Sequence, residues 1–172
     1  MRGPRGATKN AQDPHVRMPS MAEGVKVVAT NRKARYEYLL LETFEAGLVL
    51  LGSEIKSIRA GQMSLAESYV DIQGGTSAWL LDAHIAPYAQ ANQFNHEPRR
   101  KRRLLLHKKQ IRQLWNAVRI KGMTIVPTRV YLKEGRAKIE IALARGKKAY
   151  DKRAVIAKRD QKRELERESR VR

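Results

Sequence analysis

Between Val25 and Ala144 the apolar residues fall in short runs with a period of two, which narrows the possible folds more than any other feature of the chain. Ile139, Ile141 and Leu143 alternate with Lys138, Glu140 and Ala142, the pattern of a strand buried on one face. Arg35–Glu42 (RYEYLLLE) begins with alternation and ends apolar, and Gly47–Leu51 reads as a second short strand. Ser68–Ile72 and Ala78–His84 are two strands joined across Gly74-Gly75, a hairpin signal. Thr124–Val126 and Arg129–Leu132 are strands interrupted by Pro127, which suggests a sheet edge or a bulge, and Glu134-Gly135 turns the chain into the last strand.

Helical spacing is confined to two places. Ile55 and Ile58 share a face in a brief stretch that Ser53 is placed to cap and Gly61 to stop. Over 107–121, Ile111, Leu114, Trp115 and Val118 recur at i, i+3, i+4 and i+7, and Gly122 ends the run. Trp79 and Trp115 both fall in apolar patterns and are expected in the core. Residues 85–103, with Pro87 and Pro98, read as a long irregular connection whose end is basic. The pattern predicts a mostly β fold: a small, antiparallel β-barrel over 25–144 with helices packed on it, rather than any βαβ arrangement.

Outside 25–144 the texture changes. Residues 1–24 hold Pro4, Pro14 and Pro19 and no periodic pattern, so a disordered extension is expected, with translation beginning near Met21. Intact mass of the natively expressed protein tests that start. Residues 145–172 form a basic tail in which Val155, Ile156, Leu165 and Val171 are the only large aliphatics after Gly146. Asp160/Arg163, Glu164/Arg167 and Glu166/Arg170 are spaced to pair on a helix, at about 0.2–0.5 kcal/mol each. That is too little for an isolated helix, so the tail is expected to be disordered when free and helical when bound.

The chain carries 36 Lys+Arg against 17 Asp+Glu over 172 residues, a formal charge of +19. Such an excess opposes compaction and points to a polyanion, with nucleic acid first. The charge is clustered: residues 99–109 (RRKRRLLLHKK) contain no acid. A chain without cysteine has no disulfide, no cysteine-ligated zinc and no thiol nucleophile. No apolar run reaches the roughly 18 residues of a membrane span, and the first twenty residues lack the apolar middle of a secretory signal. A cytoplasmic protein that neither enters a membrane nor needs a cofactor is the expectation.

No catalytic constellation can be assembled. His15, His84, His96 and His107 are scattered, and neither HExxH, Walker A nor GxSxG is present. A metal-dependent nuclease built on Asp71, Asp82 and a distant glutamate is the catalytic alternative, but such a site needs clustered oxygen ligands. The chain reads as a binding protein, with no catalytic and no metal-ligating residues.

The segments NRKARYEYLLLETFEAG (31–47), GSEIKSIRAGQMSLAESYV (52–70), HIAPY (84–88), FNHEPRRKRRLLLHKKQI (94–111), GRAKIEIALARGKK (135–148) and YDKR (150–153) resemble the SmpB family over residues 25–168. Residues 1–20 have no counterpart, and Gly74–Ser77 replaces a shorter charged turn. The resemblance implies an oligonucleotide-binding (OB)-like barrel that holds the tRNA-like domain of transfer-messenger RNA (SsrA RNA). It also implies a tail that enters the decoding region of 16S rRNA and the empty messenger channel of a stalled small ribosomal subunit. Elongation factor Tu is the further partner implied, within the alanyl-RNA complex. The activity implied is trans-translation, by an adaptor rather than an enzyme.

With that resemblance, the RNA-contact candidates are Asn31, Arg32, Lys33 and Arg35 before the first strand, whose alternative is a solvated strand entrance. Glu45 either accepts from a base amino group or caps its turn. Tyr69 either stacks on a base or packs at the rim. Leu104, Leu105 and Leu106 are expected to anchor the basic segment, leaving contact to Arg99, Arg100, Lys101, Arg102, Arg103, His107, Lys108 and Lys109. Lys138 is a phosphate candidate on the polar face of its strand. In the tail, Gly146, Lys147, Lys148, Tyr150, Asp151, Lys152 and Arg153 are the ribosome-binding candidates, with Tyr150 offering a stacking face. A general single-strand-binding or ribosome-structural barrel is the competing non-enzymatic reading.

Overall fold

Strand β8 (Thr124–Lys133) is the hub of the molecule, because it pairs with three other strands. A computed structural model describes residues 24–148 together with Ile156 and Gln161, both helical. The remaining elements are β1 (Val25–Thr30), α1 (Arg32–Glu37), β2 (Tyr38–Leu48), α2 (Gly52–Arg59), β3 (Met63–Ser64), β4 (Tyr69–Gln73), β5 (Ser77–Leu81), β6 (His84–Ile85), a 3-10 turn (Ala89–Phe94), β7 (Arg102–Leu105), α3 (Lys108–Lys121) and β9 (Arg136–Gly146). The main sheet has seven strands in the order β1-β8-β4-β5-β7-β2-β9, and a further pairing joins β9 back to β8. Six of them therefore form a closed antiparallel ring, with β1 lying beside β8. Closure leaves few strand edges open. β3 and β6 pair separately.

The alternation read from the sequence decides what the ring encloses. Val70 and Ile72 of β4, Ala78 and Leu80 of β5, Leu104 of β7, and Ile139 and Ile141 of β9 all point inward and are buried. Ile111, Leu114 and Ala117 of α3 and Ile58 of α2 join the same core. A fully buried aliphatic such as Leu80 or Leu114 contributes about 1.5–3 kcal/mol by transfer from water. The mostly β class with packed helices, the Gly74-Gly75 hairpin with Tyr69 opposite Leu81, and the α3 helix ended by left-handed Gly122 agree with the sequence reading.

Several expectations are corrected. The strand expected from Arg35 begins only at Tyr38, and 32–37 is helix, since Arg32, Lys33, Ala34 and Arg35 are good helix formers and the Asn31 Oδ1 accepts from the Ala34 N–H at 2.9 Å. The expected strands 35–42 and 47–51 meet in a single strand, β2, which ends at Leu48, leaves 49–51 outside it and shifts register between Leu40 and Glu42. The two strands around Pro127 are also one: Pro127 sits opposite Ile141, and the register shift between Pro127 and Arg129 makes a bulge, not an edge. Asn31 N–H donates to the bulged Thr128 carbonyl at 2.8 Å. Helix α2 starts after Leu51 rather than Ser53, because the Glu54 carboxylate accepts the Leu51 N–H at 2.7 Å. Part of the 85–103 connection is ordered as the 3-10 turn and the start of β7.

The tryptophans are half-buried rather than in the core. Trp79 has the outward parity of β5, between buried Ala78 and Leu80, and Lys101 Nζ lies 5.3 Å from its ring centre. Trp115 packs over left-handed Gly75, where a Cβ would come within 3.1 Å of the indole. No helix among the described residues is long and apolar enough to cross a membrane.

Candidate nucleic-acid interface

On the outer face of the ring, strand pairing brings distant residues together. Lys138 on β9 lies opposite Gly47 on β2, and Gly47 lies opposite Leu105 on β7. Gly47 is there because of a close approach: a Cβ on it would meet the Leu105 Cβ at 3.3 Å. Above this floor opens a groove of about 460 Å³, bordered by Glu45, Arg103, His107, Lys108 and Lys138. These five candidates come from β2, β7, the α3 cap, α3 and β9, and the fold brings them to one site.

The groove's single carboxylate is held in a fixed state. Tyr131 donates its hydroxyl to Glu45, and Lys138 Nζ stands 3.5 Å from the other carboxylate oxygen. The Tyr131 hydrogen bond, set against partial burial and helped by the charges of Lys138 and Lys133, holds the Glu45 carboxyl below its usual value. Burial, with Glu45 beside it, pushes the Tyr131 hydroxyl up, so it stays a donor. Glu45 thus neither caps its turn nor stands alone as an acceptor; it orients Lys138. Sequence reading missed Tyr131, Gly47, Gln110 and the exposed Leu105; a glycine within an alternating strand was the available signal for Gly47.

The α3 end of the groove is cationic for a helix start. His107 occupies the cap position, Lys108 and Lys109 follow, and the first turn has no acid. Cations there oppose the helix dipole by about 0.3–1 kcal/mol each, a cost that a phosphate in the groove would remove.

The basic run divides by strand parity. Lys101, Arg103 and Leu105 face outward, while Arg102 and Leu104 are buried. Arg102 is corrected from an RNA contact to an internal tie. Its Nε donates to Glu54 Oε1 at 2.8 Å, and its Nη atoms donate to the carbonyls of Ala83, Arg100 and Pro98. Burial pulls the Arg102 guanidinium below its usual value against the pull of Glu54. Arg100 also turns to Glu54, 2.5 Å from Oε2. For Glu54, burial works to raise the carboxyl, and the Arg100 hydrogen bonds, the Leu51 N–H and Arg102 together hold it below the usual range. The expectation that Leu105 is an anchor is likewise corrected, as it is 56% exposed at the groove floor.

Asn31 is corrected in the same way: it is buried, its Nδ2 donates to the Leu65 carbonyl at 2.9 Å, and its oxygen caps α1. Arg32, Lys33 and Arg35 stand exposed on α1. Lys33 and the 44%-exposed Tyr69 border a second groove, with Glu37, Tyr38 and Glu67. Arg99 and Lys109 are exposed. At the root of the tail, Gly146 ends β9, the Lys147 N–H donates to the Glu37 carbonyl at 2.9 Å, and its Nζ donates to the Arg35 carbonyl at 3.0 Å. Lys148 is exposed, and Tyr150, Asp151, Lys152 and Arg153 lie outside the described residues. Among the described residues no three His, Asp or Glu side chains are grouped to hold a metal.

A closed antiparallel ring bearing a cationic groove on its outer face is the build of a small nucleic-acid-binding module. The SmpB protein family model matches residues 28–171. The chain is 56% identical over 148 residues to the SsrA-binding protein of Desulforudis audaxviator, covering 86% of this chain and 96% of that one. It is 57% identical over 143 residues to the SsrA-binding protein of Roseiflexus castenholzii, covering 83% and 90%. Among solved structures it is similar to a chain described under "tmRNA-SmpB: a journey to the center of the bacterial ribosome", with TM-score 0.59 and 46% identity over 73% of this chain and 86% of that one. The chain belongs to the SmpB family.

Proposed function

We propose that the chain is the adaptor of trans-translation that binds the tRNA-like domain of transfer-messenger RNA and brings it to stalled ribosomes. The observation that carries this reading is the convergence of Glu45, Arg103, His107, Lys108 and Lys138 on one groove of a ring whose sequence is that of an SsrA-binding protein. Arg103, Lys108 and Lys138 supply phosphate contacts, and His107 and Leu105 offer faces for ribose or base. Glu45, already occupied by Tyr131 and Lys138, sets the direction of the lysine and excludes a phosphate from its own position. The chain does no chemistry on the RNA; it positions it. The tail from Gly146 onward serves the small subunit, its decoding region and messenger channel, while elongation factor Tu joins through the charged RNA.

The test compares the tRNA-like domain with total tRNA across a salt series. Neutralising phosphates makes log K fall with salt at about −0.9 per contact, equally for both RNAs. The adaptor keeps its preference for the tRNA-like domain when that contribution is weakened, and parity would discard the proposal in favour of a general RNA-binding ring. A chain cut after Arg145 should bind the same RNA with little loss and fail to support tagging of stalled chains.

A further inference from the structure

The groove does not account for the chain's other large cationic surface. From Pro98 through Lys133 the sequence contains no acidic residue. Within that stretch α3 turns an exposed face to solvent that carries Lys109, Arg112, Asn116 and Arg119. At about 100° per residue these four lie in a sector of about 80° along about 15 Å of helix, opposite buried Ile111 and Leu114. Lys109 and Arg112 form no ion pair among the described residues. Glu42, the carboxylate that bonds to this helix, is held at both oxygens by Gln113 rather than by a cation. Arg119 is steadied 5.3 Å from the Trp115 ring centre, with its donors free for another partner. Arg112 and Arg119 do not border the groove.

We propose that this face of α3 is a second RNA-binding surface, which takes the phosphate backbone of a duplex without reading its sequence, while the groove holds its own RNA. A row of long cations and one amide, with no acid between them, is complementary to a continuous line of phosphates. Ile120 is the only large aliphatic on the face, too little apolar surface for insertion among lipids.

The experiment uses the full chain and the double variant Arg112→Gln/Arg119→Gln. The probes are a 16-base-pair RNA duplex of arbitrary sequence, the tRNA-like domain, and vesicles containing anionic lipid. The expected result is a loss of duplex affinity of tenfold or more near 0.1 M salt and a salt slope shallower by about 2. Affinity for the tRNA-like domain should stay within about twofold, and duplex should still bind the one-to-one complex of the chain with that domain. Unchanged duplex affinity, equal loss for both RNAs, displacement of duplex by a single equivalent of the tRNA-like domain, or a loss confined to vesicles would each overturn the proposal. Unaltered thermal melting of the variant excludes a folding defect. The duplex comparison stands whether or not the groove prefers transfer-messenger RNA, so the two proposals fail separately.

Discussion

Arg102 and Glu54, 48 positions apart, meet at 2.8 Å inside the molecule with neither side chain exposed. The pair ties α2 to β7, and Arg102 also gathers the carbonyls of Ala83 and Pro98, so it fixes the path of the chain into the groove wall. Removing one partner strands a buried charge. Glu54→Ala is expected to lower stability by about 3–5 kcal/mol, read by urea denaturation. A loss below about 1 kcal/mol would mean that water reaches Arg102.

Acid should expose the same tie. The folded Glu54 carboxyl lies below its unfolded value of about 4.3, so its contribution is complete above that pH and is lost as pH falls through the folded value. Unfolding free energy should therefore drop as pH is lowered from 5 to 3. In Glu54→Gln that part of the slope should vanish, leaving only what other carboxylates contribute.

Tyr131→Phe removes the hydrogen bond that contributes most to lowering Glu45. The Glu45 carboxyl should then titrate closer to its ordinary value while still held down by Lys138 and Lys133, as side-chain carbon NMR would follow. Binding of the tRNA-like domain should weaken with Lys138 less firmly directed.

Lys138→Ala leaves the Glu45 carboxylate in the groove without its cation. We expect weaker binding of every RNA and a salt slope reduced by about 1. Glu45→Gln should act in the opposite sense on total tRNA, raising its affinity and narrowing the gap to the tRNA-like domain. Filter binding at two salt concentrations separates the two.

Much of the ring was legible because alternation is local. Ile139 and Ile141 announce their face within a few residues, and Gly74-Gly75 marks its own turn. The family motifs made the RNA reading accessible as well. What stayed hidden depends on partners far along the chain. Nothing near Arg102 distinguishes it from Arg103 until Glu54 is folded against it, and Tyr131 finds Glu45 from 86 positions away. Residues 35–37 misled because Arg35-Tyr36-Glu37-Tyr38 mimics alternation across a helix-to-strand junction that the Asn31 cap determines.

The division of labour within the arginine-rich run rests on odd and even numbering. One residue inserted between Arg100 and Arg102 would swing the outward set inside and present the inward set to solvent, whereas two would restore the original facing. Charge and composition would barely differ between the two insertions, yet only the longer would keep a usable surface. The spacing of this segment therefore constrains how the protein can diverge more tightly than the identity of any single cation in it.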